Sequence, residues 1–278
     1  MLLLSCPDQT GVVATVADFV WRNGGNIIDA EQHTDEVDGV FFQRVEFTLD
    51  DFVFGRDRLP DAFAPVAERF GMDVTVRYSA DRPRLAILAS RAPHCLVDLL
   101  SRSAAGELPA ELAVVVSNHP DHADLVEFHG VPFVHAPVGD DPAAQDRTVR
   151  ELLQAREIER VVLARYMRIL SPEFVDAFPQ RIINIHHSFL PAFVGAEPYR
   201  QASERGVKVI GATAHYVTAE LDEGPIIEQD VTRVSHRDGV DDLARAGRDL
   251  EVSVLARAVR ADLENRVLVR GGRTIVFH

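Results

Sequence analysis

Sulfur is scarce in this chain. Its two cysteines, Cys6 and Cys95, lie far apart and match no metal-ligand or redox spacing, so both are expected as reduced, buried thiols of a cytosolic protein. Basic clusters are missing as well. Against 43 acidic residues stand 29 Lys and Arg, for a net charge of −14. Nucleic acids are therefore not expected as partners, because that affinity rests on phosphate neutralisation. A single Arg can still hold an anionic small molecule inside an acidic protein. No apolar run approaches the ~20 residues that cross a bilayer. Met1-Leu2-Leu3-Leu4, running into Pro7-Asp8-Gln9, is too short for a signal peptide and lacks its basic start. The expectations are a cytoplasmic location and no membrane partner. Internal repeats and low-complexity segments are also absent.

What is present is a globular composition, 46% hydrophobic and 26% charged. With 278 residues the chain can build one large domain or two smaller ones. Residues 1–80 alternate in the order β-α-β-β-α-β, the ferredoxin-like arrangement. The first helix carries Val12, Val16 and Val20 at helical spacing, and Gly24-Gly25 ends it. The third strand alternates, with Phe41, Val45 and Phe47 predicted on the core face and Arg44, Glu46 and Thr48 on the other. Residues 81–84, Asp81-Arg82-Pro83-Arg84, are polar and proline-broken and read as a linker.

Over 85–278 strands and helices alternate. Strands are expected at 85–89, 113–117, 160–164 and 181–185, with helices at 93–103, 121–128, 142–155 and 172–178. A helix near 196–205, a strand pair at 207–217 and 225–234, a long helix at 240–263 and a final hairpin follow. This is the pattern of a doubly wound α/β sheet, whose ligands bind beyond the carboxyl ends of the strands. Loops 165–170 and 184–188 leave such ends.

Asn184 and His186 stand two apart at the end of a strand and so project to the same side. An amide donor beside an imidazole suits a site where a carbonyl oxygen gains negative charge. Asp222 completes the set if the hairpin that follows folds back over the strand end. On the residues alone, two other readings stay open: a strand-end pair satisfying loop backbone, and an aspartate that only shapes the turn before Gly224-Pro225. A zinc site of His186, His187 and His215 is a third arrangement, but acid/base partners already account for one of these, and no metal is expected.

Asn184-Ile185-His186, followed 36 positions after the histidine by Asp222 in Leu-Asp-Glu-Gly-Pro, resembles the catalytic set of the folate-dependent formyltransferase fold. Arg165-Tyr166-Met167-Arg168-Ile169-Leu170 resembles that fold's folate-binding loop. His186-His187-Ser188-Phe189-Leu190-Pro191, Gly211-Ala212-Thr213-Ala214-His215-Tyr216-Val217 and Arg245-Ala246-Gly247-Arg248-Asp249 are similar to the formyltetrahydrofolate deformylase family. Cys6-Pro7-Asp8-Gln9-Thr10-Gly11 resembles the ACT domain that family carries.

The resemblance covers essentially the whole chain and implies an ACT-like domain at 1–80 and a formyltransferase-fold catalytic domain at 85–278. It implies hydrolysis of 10-formyltetrahydrofolate to tetrahydrofolate and formate, which feeds formate to purine synthesis and balances the one-carbon pool. No tightly bound cofactor is implied, since the reaction is acyl chemistry without redox. Asn184, His186 and Asp222 are the implied catalytic residues. Tyr166, Met167, Arg168, Ile169, Leu170, Gly195, His215 and Val217 are the implied substrate contacts. Asp8, Gly11 and Asn26 are implied to bind an amino-acid effector at a paired-domain interface, so a homo-oligomer is expected.

Two rivals compete with hydrolysis: transfer of the formyl group to an amine, and a catalytically silent sensor. The intact Asn184, His186 and Asp222 argue against the sensor. The chain departs from the family pattern at Glu197-Pro198-Tyr199-Arg200, where a basic residue, Pro, Tyr and His are expected. Glu197 opposes an anionic folate tail, while Arg200 can supply the charge from another position.

Overall fold

The computed structural model describes residues 1–192 and 198–278. The chain divides into two compact units. One comprises Met1–Asp81, Glu264–Arg270 and Ile275–His278, and the other Arg82–Leu263 and Gly271–Thr274. The end of the chain, which the sequence pattern assigns to the second domain, thus groups with the first unit.

The first unit contains β1 (Leu2–Pro7), α1 (Val12–Arg22), β2 (Ile27–Asp35), β3 (Val40–Phe47), α2 (Leu59–Phe70) and β4 (Asp73–Val76). Its sheet has the order β2-β3-β1-β4 with every neighbour antiparallel. Leu2, Leu4 and Val45 from the sheet bury themselves against Val16, Val20 and Phe63 from the helices. The predicted polar face of β3 is not exposed. Val40 and Phe42 pack with Leu268, Ile275 and Phe277, so the chain end covers that face too. Arg44 keeps only 7% of its side chain accessible, and Asp29 and Glu46 hold its guanidinium at 2.7 and 2.8 Å. Long-range cover of this kind leaves no trace in local periodicity.

The second unit holds β5 (Arg84–Ala89), α3 (His94–Ala104), β6 (Glu111–Ser117), α4 (Ala123–Phe128), β7 (Phe133–His135), α5 (Pro142–Ala155), β8 (Arg160–Ala164), α6 (Pro172–Ala177) and β9 (Ile182–His186). It continues with α7 (Pro198–Glu204), β10 (Val209–Tyr216), β11 (Ile226–Arg233) and α8 (Val240–Leu263). The chain closes with β12 (Val267–Arg270) and β13 (Arg273–Val276), which pair with each other.

The sheet of the second unit is seven-stranded, β11-β10-β9-β8-β5-β6-β7. Strands β7, β6, β5, β8 and β9 run parallel, and β10 and β11 are antiparallel additions at one edge. Parallel strands covered on both faces need continuous apolar runs, and Leu85 through Ala89 are all buried. The chain begins this sheet in the middle, at β5, and later crosses over to β8. Between these two strands lies the switch point, and the cleft described below opens beside it, at the carboxyl ends of β8 and β9.

Local chemistry sets several element ends. Asp141 caps α5 by accepting from the Ala143 and Ala144 amides, with Pro142 at the first helical position. Ser171 caps α6 through the Phe174 amide. Helix α8 packs against β9, β10 and β11. No helix among the described residues is long and apolar enough to cross a membrane.

Candidate active site

Asn184 and His186 end β9, and β10 lies antiparallel beside it, with His215 paired to Asn184 and Thr213 to His186. Direct cross-strand partners touch on one face. Asn184 Nδ2 accordingly lies 3.2 Å from His215 Nε2. His215 Nδ1 donates to the Tyr216 carbonyl at 2.9 Å, an oxygen that can only accept. The β10–β11 register shifts between Ala214 and His215, and such bulges re-aim side chains beside functional sites.

The hairpin between β10 and β11 does fold back. Asp222 Oδ2 lies 3.3 Å from His186 Nδ1, and Oδ1 lies 3.7 Å from His215 Nε2. Asp222 has φ 58°, a left-handed conformation that aspartate tolerates better than most residues. Gly224 makes the turn possible: a Cβ there would sit 1.7 Å from the Tyr216 carbonyl oxygen. Hydrogen bonds from His186 and then His215 hold the Asp222 carboxyl well below the ordinary carboxylate range, against the opposing pull of burial. Two imidazoles thus flank a carboxylate that stays ionised, and the Asn184 amide stands against one of them.

These groups line one part of a cleft of about 620 Å³, whose other walls include the 165–170 loop and residues 217–221. Met167 and Ile169 are 63% and 74% exposed, an apolar surface presented to the cleft. Leu170 and Val217 also line it and pack at the same time on the core of the unit. Tyr166 is a core residue whose hydroxyl accepts from the Gln145 amide at 2.9 Å. Arg168 lines the cleft and is half-buried, with Nε unbonded among the described residues. The Met167 amide is anchored on Ser90 Oγ at 3.0 Å. Gly195 lies outside the described residues. Asp8, Gly11 and Asn26 are exposed turn residues of the first unit; the Asp8 amide donates to Gly39 O, and Asn26 O accepts from Thr48 N.

Sequence reasoning missed two sets of supporting residues. Buried Thr213 donates to Ser188 O and accepts from Leu190 N, while Gln229 bonds both Thr213 and Leu190 O, which fixes the chain as it leaves β9. The second set surrounds Glu251, which accepts from His94 Nε2 and the Tyr199 hydroxyl at 2.8 Å each. Arg165 Nε stands 3.3 Å from the same carboxylate, close enough for an ion pair but not aligned as a hydrogen bond. Burial works to raise the Glu251 carboxyl, but His94, Arg165 and Tyr199 together outweigh it and hold the group below its ordinary range. A signal existed: Glu251 sits in line with Gly247, Val254 and Leu255 on the buried stripe of α8.

Metal-ligating atoms of His94, Cys95 and Glu251 come within 4.8 Å of one another. The carboxylate there is already engaged by three partners, and burial pushes the Cys95 thiol far up, away from thiolate. This donor set is suited to hydrogen bonding rather than to a cation. His187, next to the site, is neutral: burial, then the charges of Arg165 and His186, lower its pKa to about 4.

Residues 83–259 match the formyl transferase family. The chain is 53% identical to a formyltetrahydrofolate deformylase from Synechocystis sp., covering 99% of this chain and 97% of that protein. It is 50% identical to one from Bacillus subtilis, over 100% of this chain and 93% of the relative. The crystal structure of a formyltetrahydrofolate deformylase from Pseudomonas syringae superposes with a TM-score of 0.97 at 50% identity, covering 100% of this chain and 93% of that one. A glycinamide ribonucleotide transformylase from Symbiobacterium toebii matches less, with a TM-score of 0.68 at 38% identity over 71% of this chain and 95% of its own. With this fold, this cleft and full-length relatives, the chain belongs to the formyltetrahydrofolate deformylase family.

Proposed function

We propose that the chain hydrolyses 10-formyltetrahydrofolate to tetrahydrofolate and formate, with Asn184, His186 and Asp222 as the catalytic residues. The observation that carries this reading is their convergence at one end of an apolar-walled cleft. Water adds to the formyl carbon while Asp222 orients it and draws off its proton as the C–O bond forms. Asn184 and protonated His186 donate to the formyl oxygen as it becomes an oxyanion. Collapse breaks the C–N10 bond, N10 takes up the proton, and formate and tetrahydrofolate leave. A carboxylate held this acidic remains ionised in the ground state and serves as a base only as the attacking water gains acidity. Met167, Ile169, Leu170 and Val217 provide apolar surface for the pterin, and Tyr166, Arg168, Gly195 and His215 complete the substrate contacts of this reading.

The first unit, with its β-α-β-β-α-β order, is read as an ACT domain that pairs between copies of the chain in the cytoplasm and takes a free amino acid at the Asp8, Gly11 and Asn26 turns. A thermal-shift panel of free amino acids tests this, and a flat response removes the effector role. For the main reaction, purified protein is incubated with 10-formyltetrahydrofolate, with and without an amine. Formate release without amine is expected. Product formed only when an amine is present overturns hydrolysis in favour of transfer.

A further inference from the structure

Hydrolysis, as proposed above, raises a question of acceptor choice, because amines are better nucleophiles than water. His187 directly follows the catalytic imidazole, and its ring centroid lies 4.9 Å from that of His186. The Tyr199 ring stands 6.3 Å beyond it. Both residues line the catalytic cleft, and both also line a second, strongly apolar cavity of about 330 Å³ formed with Phe189, Ile210 and Val231. They are therefore the partition between the two spaces.

We propose that this His187–Tyr199 partition, locked by Glu251, is the specificity determinant that restricts the formyl acceptor to water. Tyr199 is held by two independent devices. Its hydroxyl donates to Glu251, which is 1% exposed and is held in turn by His94 and Arg165. Its phenol end also sits in a notch on α8 left by Gly247, where a Cβ would come within 2.0 Å of the hydroxyl oxygen. The neutral state of His187 fits a wall rather than an anion-binding group. Among the described residues, the ring stands between the catalytic cleft and the apolar cavity. Without it, the 330 Å³ cavity joins the cleft, and an amine can enter. Its nitrogen then attacks the formyl carbon, the C–N10 bond breaks, and N10 takes the proton the amine loses, giving an N-formyl amine and tetrahydrofolate.

The test is the partition of formyl between formate and N-formyl product, measured by mass spectrometry with 10-formyltetrahydrofolate and a size series from hydroxylamine to glycinamide. Wild type is expected to yield formate almost alone. Tyr199→Ala should raise the amine share by about 10–200-fold, the range a changed pocket volume produces, with the larger amine gaining most. Tyr199→Phe retains the ring, should fold as wild type does, and should give a smaller rise. Gly247→Ala displaces the ring without altering any cleft side chain and should raise the amine share as well. An unchanged partition in folded Tyr199→Ala overturns the proposal. Should that variant fail to fold, an unchanged partition in Gly247→Ala overturns it instead. Wild-type protein that neither releases formate nor forms an N-formyl amine would instead overturn the reading of the function itself.

Discussion

Each end of the central sheet has a carboxylate held by buried partners, and the two could hardly be treated more differently. At the end where the parallel strands begin, Asp262 from α8 takes 2.7 Å from Arg160 Nε and 2.6 Å from the Tyr216 hydroxyl. At the end where they finish, Asp222 meets two imidazoles at 3.3 and 3.7 Å on the wall of a cleft. Arg160 never gives up its charge, and burial followed by Asp262 pushes the Tyr216 hydroxyl well above its ordinary range. The first network is short, saturated and inert. The second is long, made of groups that exchange protons, and has room for a third party. Helix α8 spans the difference, presenting Glu251 toward the cleft end and Asp262 at the other, about three turns and ~16 Å along its axis.

Substituting each carboxylate in turn tests the contrast, and Asp222→Asn should show the largest effect. A lost acid/base group removes about 10³-fold of kcat, roughly 4 kcal/mol of barrier. The same change should lower Tm less than the loss of Asp262 does, because the Asp222 ion pairs are longer, at 3.3 and 3.7 Å, and lie on the cleft wall. A folate titration should show that binding survives. Near-normal turnover in this variant would remove Asp222 from the mechanism.

Asp262→Ala should do the reverse. It strands Arg160, whose side chain is 18% accessible, and removing one partner of such a pair costs about 3 kcal/mol or more. Urea unfolding should show that loss while kcat per folded molecule is unchanged. A fall in kcat without a fall in stability would mean the two ends are not separable in this way.

How much of this contrast could be read from the chain depends on whether the cause was local. Asn184 and His186 were legible because a period of two aims them together. The start of α5 follows from Asp141-Pro142, and α8 was legible at its observed limits because its apolar stripe is continuous. Strand β7 was not, since Phe133-Val134-His135 is too short a run to show a period. The Arg44 and Glu46 face of β3 reads as solvent-facing in the sequence because its cover, over Val40 and Phe42, comes from residues more than two hundred positions away. Asp222 was legible as a candidate, but its approach to His186 depends on the β10–β11 pairing and on the space at Gly224, which spacing alone cannot supply. Glu251 was legible in principle, as a charge on a buried helical stripe.

His187 sharpens the comparison by pH. Its folded-state pKa is about 4, below the ~6.5 of an unfolded histidine. Between these values the unfolded chain binds more protons, so acidification from about pH 6.5 toward 4 removes stability, by at most ~1.4 kcal/mol per pH unit for this group. Asp222 has the opposite kind of linkage. Its depressed pKa adds stability above the unfolded carboxylate value of ~3.9, and that stability is lost only at lower pH. The window from pH 7 to 5 therefore separates His187 from Asp222, and the His187→Asn comparison assigns the effect to this ring. Tm should fall across it in wild type and fall less in His187→Asn. Parallel curves would show that His187 is not held neutral.

The smallest effect expected is at the loop beside the cleft. Met167 and Ile169 are large apolar side chains left mostly in solvent, and neither is among the residues packed on the core of the unit. Leu170, their neighbour, is packed there. Exposed positions of this sort contribute little to folding, so Ile169→Ser should leave stability within about 0.5 kcal/mol. If the pterin lies against the side chain, the same change removes apolar contact worth about 1 kcal/mol, a roughly fivefold rise in KM at constant kcat. Leu170→Ser should raise KM and lower Tm together, because that side chain serves both surfaces. A KM unmoved by Ile169→Ser would place the pterin elsewhere in the cleft, and the exposed side chains would then need another explanation than substrate.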